Sequence, residues 1–357
     1  MNERREDYMS DKQAVLNNPT RKERSGAVDA AKAIALLFVV AGHAVTSETM
    51  LFRFIFGFHM PFFFIASGLF FRMPNISFAQ FAKKKAKALL IPYAVFALLG
   101  LLIMWVFKSW RVPGDALWYG IRYLYIAQPA ALGSVWFLVC LFVSLLMVFV
   151  LFRLDLCDKW IPLILTILAL AAVGTVFVPW ISVAHFGRLP WKIDAGVTAA
   201  SFLLIGYAFT KSGLAAKIRL WQRIAGLFIL PVIVFVFAVK LNGYVNICDC
   251  VYGNPVYYYI AALAGSLWVF DIGSFLAKSK LLCWVGRNSL YIFSIHSFVL
   301  WAWIRVYCKI MHVETEYLTN NVWVAVISVI TLASTALAVK GYEVVKTQVV
   351  KRVRKTA

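Results

Sequence analysis

The sequence predicts an all-α integral membrane protein with about ten transmembrane helices and with both termini in the cytoplasm. Of the 357 residues, 62% are apolar and only 15% are charged, which is too apolar for a soluble domain of that length. Apolar runs long enough to cross about 30 Å of hydrocarbon recur along the whole chain. Most of the 36 lysines and arginines fall in alternate connecting segments, as the positive-inside rule expects.

The apolar runs define the predicted spans in order, and the placement of the basic segments sets the N-terminus inside. The fifth and sixth runs have the least defined ends, so counts of nine or eleven spans stay open. The ten predicted spans cover residues 30–47, 52–71, 88–107, 134–152, 160–178, 195–210, 223–239, 256–275, 288–308 and 322–340.

One helical domain with a tail at each end is predicted. Residues 1–26 are polar and predict a flexible cytoplasmic tail, residues 27–342 the transmembrane domain, and residues 343–357 a basic cytoplasmic tail. The aromatic segment 108–133 predicts an interfacial outer helix. Topology and attraction to anionic membrane lipid account for the net charge of +20, so no nucleic-acid partner is inferred. The six cysteines show no zinc spacing, and no metal site is expected.

Three ionisable residues interrupt the first predicted span, DAAKAIALLFVVAGHAV. At 100° per residue, Asp29, Lys32 and His43 share one helix face. Lys32 and His43 are roughly 16 Å apart along the axis, which puts the lysine near the cytoplasmic mouth and the histidine in the outer half. Asp29 alone fits an acidic residue favoured at a helix N-terminus. Together, the three predict a path enclosed by protein, because each costs free energy in lipid.

Further polar residues lie at corresponding depths on other predicted helices. His59 and His296 fall at intermediate depth in the second and ninth spans, and Lys83, Lys84 and Lys87 cluster at the cytoplasmic mouth of the third. Such a cluster can clamp phosphates. Each feature also has a simpler interpretation, since a histidine can bridge helices by hydrogen bonding and the lysines can be positive-inside charge.

A basic mouth and a deep histidine match the shape of a coenzyme A thioester, a long polyanion with its reactive group at one end. The histidine can take the proton of an acceptor hydroxyl as it attacks the thioester carbonyl, which is worth typically about 10² to 10⁴ in rate. The alternative is a transporter or flippase in which the histidines and Asp29 relay protons or bind a solute. No inverted repeat supports it. A structural membrane subunit without chemistry is the third hypothesis.

Taken together, the motifs resemble the bacterial membrane acyltransferase family 3, the multi-span O-acyltransferases, over most of residues 24–340. The family's first-helix pattern is matched by Asp29, Lys32 and His43. FHMPFFFIASGLFF resembles the second-span segment of the branch similar to fucose 4-O-acetylases and related polysaccharide acetylases. The basic pair before LLIPY, SVWFL and GRNSLYIFSIH also look like family segments. Lysine replaces the more usual arginine at the basic positions, which concerns donor affinity rather than reaction class.

The resemblance implies an enzyme of the bacterial inner (plasma) membrane that moves an acetyl or similar acyl group from acetyl-CoA, or another acyl-CoA such as succinyl-CoA, to a sugar hydroxyl. The acceptor would be a cell-surface glycan or its lipid-linked precursor, and glycan-assembly proteins would be partners. Whether an acyl-enzyme intervenes on His43 or Ser67 stays open. The implied residues are His43 as catalytic base with Asp29 and Asp194 in support, Lys32, Lys83, Lys84 and Lys87 for the donor, and His59, Ser67, Trp136, Asn288 and His296 for the acceptor.

Overall fold

The computed structural model describes residues 25–106, 125–127, 133–181, 188–315 and 317–356. Within these ranges the regular structure is helical, and an antiparallel bridge between Asn246 and Val251 is the only strand-like feature. The predicted N-terminal tail, up to residue 24, and almost all of the predicted interfacial helix 108–133 lie outside the described residues.

The helices of the described ranges occupy the predicted spans in order. Nine of them, all except α3 and α9, are long and apolar enough to cross a membrane. Helix α3 takes the place of the third predicted span. The multi-pass all-α prediction is thus confirmed. The bounds are α1 Gly26–Ala44, α2 Met50–Leu69, α3 Phe78–Val106, α4 Trp136–Arg153, α5 Trp160–Ile181, α6 Pro190–Lys211, α7 Leu220–Asn242, α8 Pro255–Phe275, α9 Lys280–Arg287, α10 Ser289–Met311 and α11 Asn321–Thr356.

Two differences from the sequence prediction concern helix ends. Helix α11 continues through the basic segment that follows residue 342 and ends at Thr356. Helix α2 consists of two pieces, Met50–Phe56 and His59–Leu69, separated by Gly57 and Phe58. The Phe58 ring is buried beside Phe38, with ring centroids 5.3 Å apart. Packing of the Phe58 ring therefore stabilises the break, which places His59 at the start of the second piece.

Helices α1 and α6 organise the bundle. Helix α1 packs against α2, α8, α9, α10 and α11, and α6 packs against α2, α4 and α5. Helices α5 and α7 bury the smallest share of their surfaces among the nine spans, so they form the periphery. The functional candidates on α1 and α2 consequently lie in the interior of the bundle.

Glycines allow α2 and α6 to cross closely. A Cβ atom at Gly68 would overlap the carbonyl oxygen of Leu203, and one at Gly206 would overlap the carbonyl oxygen of Ile65. Backbone contact of this kind is typical of small residues at membrane helix interfaces. Gly68 in the IASGLFF motif therefore serves helix packing.

The helices present two ends, which we name after residues of α1. At the His43 end, α1 stops, α2 starts, and Leu318 donates its backbone N–H to Ala44 O at 2.8 Å. At the Lys32 end, α1 and α3 begin, α2 finishes, and Arg287 of α9 approaches Asp29 at 4.0 Å. The sequence predicts that the Lys32 end faces the cytoplasm.

Candidate active site

A cavity of about 380 Å³ lies at the His43 end. Its wall combines the last turn of α1, the first piece of α2 and the loop of residues 243–254 that connects α7 to α8. Two predicted site histidines, His43 and His59, and the predicted Trp136 belong to this wall. The lining residues are Gly42, His43, Val45, Thr46, Ser47, Phe52, Phe56, His59, Met60, Trp136, Tyr244, Asn246, Ile247, Cys248, Phe293 and Tyr317.

His43 is held by ring contacts. Its ring centroid lies 5.4 Å from that of His296 on α10 and 6.2 Å from that of Phe56 on α2. Among the described residues, neither ring nitrogen of His43 makes a hydrogen bond. A ring fixed on both sides, with its nitrogens unengaged at a cavity wall, can serve as a proton acceptor for a bound molecule.

The buried ring of His59 has one nitrogen committed to the backbone. Its Nδ1 donates a hydrogen bond to Ile55 O at 2.9 Å, and the ring lies 4.6 Å from Phe56. When Nδ1 carries the proton of a neutral imidazole, Nε2 is a hydrogen-bond acceptor. His59 can therefore accept a hydrogen bond from a hydroxyl in the cavity.

His296 lies behind His43 and does not line the cavity. Its Nδ1 donates to Phe293 O at 2.6 Å, and its Nε2 is 3.4 Å from the hydroxyl of Ser297. That hydroxyl is in turn 3.2 Å from the hydroxyl of Ser134. The structure thus gathers three histidines that are far apart in the sequence, two in the cavity wall and one supporting His43.

Asp194 anchors a neighbouring charge network. Its carboxylate accepts hydrogen bonds from Arg188 Nε at 2.7 Å and from the backbone N–H of Ala195 at 2.8 Å. Arg188 also donates to Cys248 O and pairs with Asp249 at 3.4 Å. Burial alone would lower the pKa of Arg188, but the hydrogen bond and charge of Asp194 outweigh burial and raise it. Asp194 therefore fastens the 243–254 loop through Arg188 and has no hydrogen bond to a histidine in the described chain.

Lys192 reaches the cavity wall from behind. Trp191 and Lys192 have φ angles of 55° and 58°, a left-handed conformation that costs of order 1–3 kcal/mol at each non-glycine residue. The buried Lys192 Nζ donates to Cys248 O at 3.1 Å and lies 5.9 Å from the ring centroid of Trp136. Both contacted residues line the cavity, so the left-handed turn positions a cation next to its wall.

Sequence reasoning missed several residues of this region. Arg188 and Lys192 both precede Asp194 in GRLPWKIDAG, and two basic residues so close to an acidic residue at the start of a span were the available signal. Tyr244, Asn246 and Cys248 stand in a loop without a chemical motif. Their place in the wall depends on how the loop folds back onto α6.

The remaining predicted residues lie away from the cavity, at or near the Lys32 end. Lys32 Nζ is 5.6 Å from the ring centroid of Phe70, where α2 ends. Lys83, Lys84 and Lys87 are exposed on the first turns of α3. These four lysines do not line the cavity.

Polar residues near the same end make local contacts. Ser67 donates to Phe63 O at 2.8 Å within α2, and Asn288 donates to Trp284 O at 3.2 Å where α9 meets α10. The mostly buried Asp29 faces Arg287. Across the described ranges, no three His, Cys, Asp or Glu side chains are arranged to hold a metal ion.

Comparison with known protein families gives a match that spans this helical bundle. A family model described as an acyltransferase domain matches residues 25–340. The match begins one residue before α1 and ends within α11, so it covers the whole bundle, including the histidine cavity and the exposed lysines. A comparison with curated proteins finds no significant match.

Proposed function

Because the chain belongs to acyltransferase family 3, and is a multi-pass membrane acyltransferase, we propose that it moves an acyl group from a coenzyme A thioester to a sugar hydroxyl, with His43 as general base. The observation that carries the proposal is a histidine with unengaged ring nitrogens at the wall of a cavity at one end of the bundle. The proposed acceptor belongs to a cell-surface glycan or its lipid-linked precursor. The proposed location is the bacterial inner membrane.

The reaction needs one proton carrier at the cavity. His43 takes the proton of the acceptor hydroxyl while the hydroxyl oxygen bonds to the thioester carbonyl carbon. When the tetrahedral intermediate collapses, the C–S bond breaks and the proton on His43 passes to the departing sulfur. The products are an O-acyl sugar and free coenzyme A. His59 Nε2 can hold the acceptor by accepting a hydrogen bond from a second hydroxyl.

The donor reaches His43 from the opposite end of α1 in this proposal. Lys32 contacts Phe70, just after α2, and His43 contacts Phe56, at the end of its first piece, so both side chains face α2. The roughly 16 Å between them suits a long donor lying along the α1–α2 contact. Lys32, with Lys83, Lys84 and Lys87 nearby, would meet the phosphates, and the acyl group would reach the histidine.

The test is turnover of radiolabelled acetyl-CoA by the full chain purified in detergent, with transfer to glycan and hydrolysis by water measured separately. We expect His43→Ala to lower donor turnover by about 10² to 10⁴. His312→Ala is the matched control, because His312 is exposed beyond the end of α10. Succinyl-CoA in a parallel assay identifies a different acyl preference.

Other outcomes separate the competing hypotheses. Full turnover in His43→Ala would eliminate this histidine as the base without contradicting the acyltransferase function. Absence of turnover with every acyl-CoA, in a folded wild-type protein, would refute coenzyme A as the donor. Solute uptake into sealed vesicles without any acyl donor would support a transport function.

A further inference from the structure

The cavity wall has a distinctive chemistry. Among its lining residues there is no Asp, Glu, Lys or Arg, and its formally neutral polar groups include two histidines, four hydroxyls, a thiol and an amide. Six of the lining residues are Phe, Tyr or Trp. These six aromatic residues are Phe52, Phe56, Trp136, Tyr244, Phe293 and Tyr317.

Two basic side chains that bond to the wall residue Cys248 are already engaged. Arg188 is bonded to Asp194, Asp249 and Cys248 O. The Lys192 ammonium is bonded to the carbonyl oxygen and sulfur of Cys248. With two cations and two carboxylates, this network balances its own charge. A charged group on a ligand would therefore find no Asp, Glu, Lys or Arg among the lining residues to replace the water that it loses.

Two tyrosines supply aromatic surface that the fold does not bury. Tyr244 is 38% exposed and Tyr317 is 42% exposed, and they come from two different connections at the His43 end. Tyr244 lies parallel to Phe52, with an interplanar angle of 8° and centroids 5.6 Å apart. An aromatic face is electron-rich and attracts the weakly positive C–H groups on the face of a sugar ring.

We propose that the acceptor group entering this cavity is an uncharged sugar ring, stacked on Tyr244 and Tyr317, with hydroxyls directed to His43 and His59. This inference rests on the proposed acyl transfer and narrows its substrate class. Uronic acids and protonated amino sugars are poor acceptors for the same cavity. A lipid-linked acceptor fits if its phosphates stay outside.

The experiment compares matched acceptors on the full detergent-purified protein with labelled acetyl-CoA. The neutral panel is the methyl glycosides of glucose, galactose, mannose, fucose and N-acetylglucosamine. The charged panel is the methyl glycosides of glucuronate, galacturonate and glucosamine. We expect at least one neutral glycoside to form an acetyl ester with kcat/KM about 10-fold or more above its charged counterpart.

Three results would overturn the inference while donor hydrolysis still depends on His43: preference for a charged glycoside, equal use of both panels, or acceptance of no neutral glycoside. If the wild-type protein did not hydrolyse the donor, the proposed function itself would be contradicted. The two failures are thereby distinguished within one assay.

Variants of the wall test aromatic stacking and wall charge separately. Tyr244→Ala should raise the KM for the neutral acceptor about fivefold, which is the roughly 1 kcal/mol of a lost aromatic contact. Trp180→Ala is the matched control, since Trp180 is 59% exposed on α5 and outside the cavity. Thr46→Lys should shift the preference towards uronates relative to Thr46→Met, because it adds a cation to the wall. An unchanged ratio between these two variants would show that wall charge does not set the preference.

Discussion

The two ends of helix α1 differ in how they hold their polar groups. At the His43 end, ring contacts from α2 and α10 fix the histidine beside a cavity. At the Lys32 end, Lys83, Lys84 and Lys87 are exposed on consecutive turns of one helix, and Asp29 and Arg287 approach only to 4.0 Å. Proton transfer needs fixed geometry and exclusion of water, whereas capture of a polyanion needs charge that can adapt. The difference therefore suggests chemistry at one end and donor capture at the other.

Glutamine in place of His43 or of Lys32 compares the two ends, and the loss of kcat in His43→Gln is the largest effect we expect. We expect His43→Gln to lower kcat by about 10² to 10⁴ with little change in the donor KM, since glutamine keeps a polar side chain but cannot take the proton. Lys32→Gln should mainly raise the donor KM, because a phosphate contact acts in both ground state and transition state. Initial rates over a range of acetyl-CoA concentrations measure both parameters.

Circular dichroism and gel filtration of the two glutamine variants verify that both remain folded. If Lys32→Gln lowered kcat as much as His43→Gln does, the division of labour between the ends would be wrong. Lys32 would then have to act on the reacting atoms.

Two cysteines outside the spans, one at each end, allow the ends to be compared by thiol reactivity. Burial raises the pKa of Cys248, in the cavity wall, from its ordinary value of about 9 to about 12, and raises that of Cys157, at the Lys32 end, to about 11. The thiolate is the reactive form, so at pH 8 labelling by N-ethylmaleimide should be about 10³-fold slower than for a free thiol at Cys248 and about 10²-fold slower at Cys157. Below these pKa values, both rates should rise tenfold per pH unit.

Mass spectrometry of the labelled peptides gives the two rates, and thermally unfolded protein provides the free-thiol reference. Fast labelling of Cys248 at pH 8 would mean that the cavity wall opens frequently. Equal rates at the two ends would contradict the higher thiol pKa at Cys248.

Much of the fold and part of the site were predictable because they depend on local sequence. Membrane helices need runs of apolar residues, so the spans follow from composition. The shared face of Lys32 and His43 follows from helix periodicity, and the structure sets both against α2. The contact between His43 and His296 agrees with their predicted depths, but depth alone does not determine which helices are neighbours.

The rest of the site depends on contacts between distant segments. Asp194 looks catalytic in sequence because it is an acidic residue at the start of a membrane helix. Its actual bonds run to Arg188 and so to the 243–254 loop. Tyr244 and Asn246 enter the wall through this loop, which the network fastens at Cys248 and Asp249. A pattern read along the chain contains no information about such closure.

Loss of the Asp194 charge should have an intermediate effect. We expect Asp194→Asn to lower the free energy of unfolding by about 2 kcal/mol, since Asp194 is fully buried and Arg188 loses its shortest ion pair. Asp249→Asn is the matched control and should cost less, because the Asp249 side chain is 40% exposed and 3.4 Å from Arg188. Thermal unfolding in detergent measures both variants.

Kinetics of Asp194→Asn show whether this residue also takes part in the reaction. As an anchor of the loop it should raise the acceptor KM and spare donor hydrolysis. A loss of kcat for donor hydrolysis comparable with that of His43→Gln, in a protein as stable as wild type, would return Asp194 to a catalytic role.

The smallest expected effect belongs to the exposed lysines and depends on salt. Lys84→Ala combined with Lys87→Ala should raise the donor KM about 3- to 10-fold at low ionic strength, because each solvated charge contributes at most about 1 kcal/mol. The Debye length falls from about 10 Å at 0.1 M salt to about 3 Å at 1 M, so this increase should shrink as salt is added. The kcat loss in His43→Gln should not depend on salt, since it comes from lost proton transfer and not from lost attraction of the donor. Lys278→Ala combined with Lys280→Ala removes two exposed charges at the same end and is the matched control for net charge. If this control raised the donor KM as much as the Lys84/Lys87 variant does, the Lys32 end would attract the donor by its overall charge alone, and Lys84 and Lys87 would hold no specific place in binding.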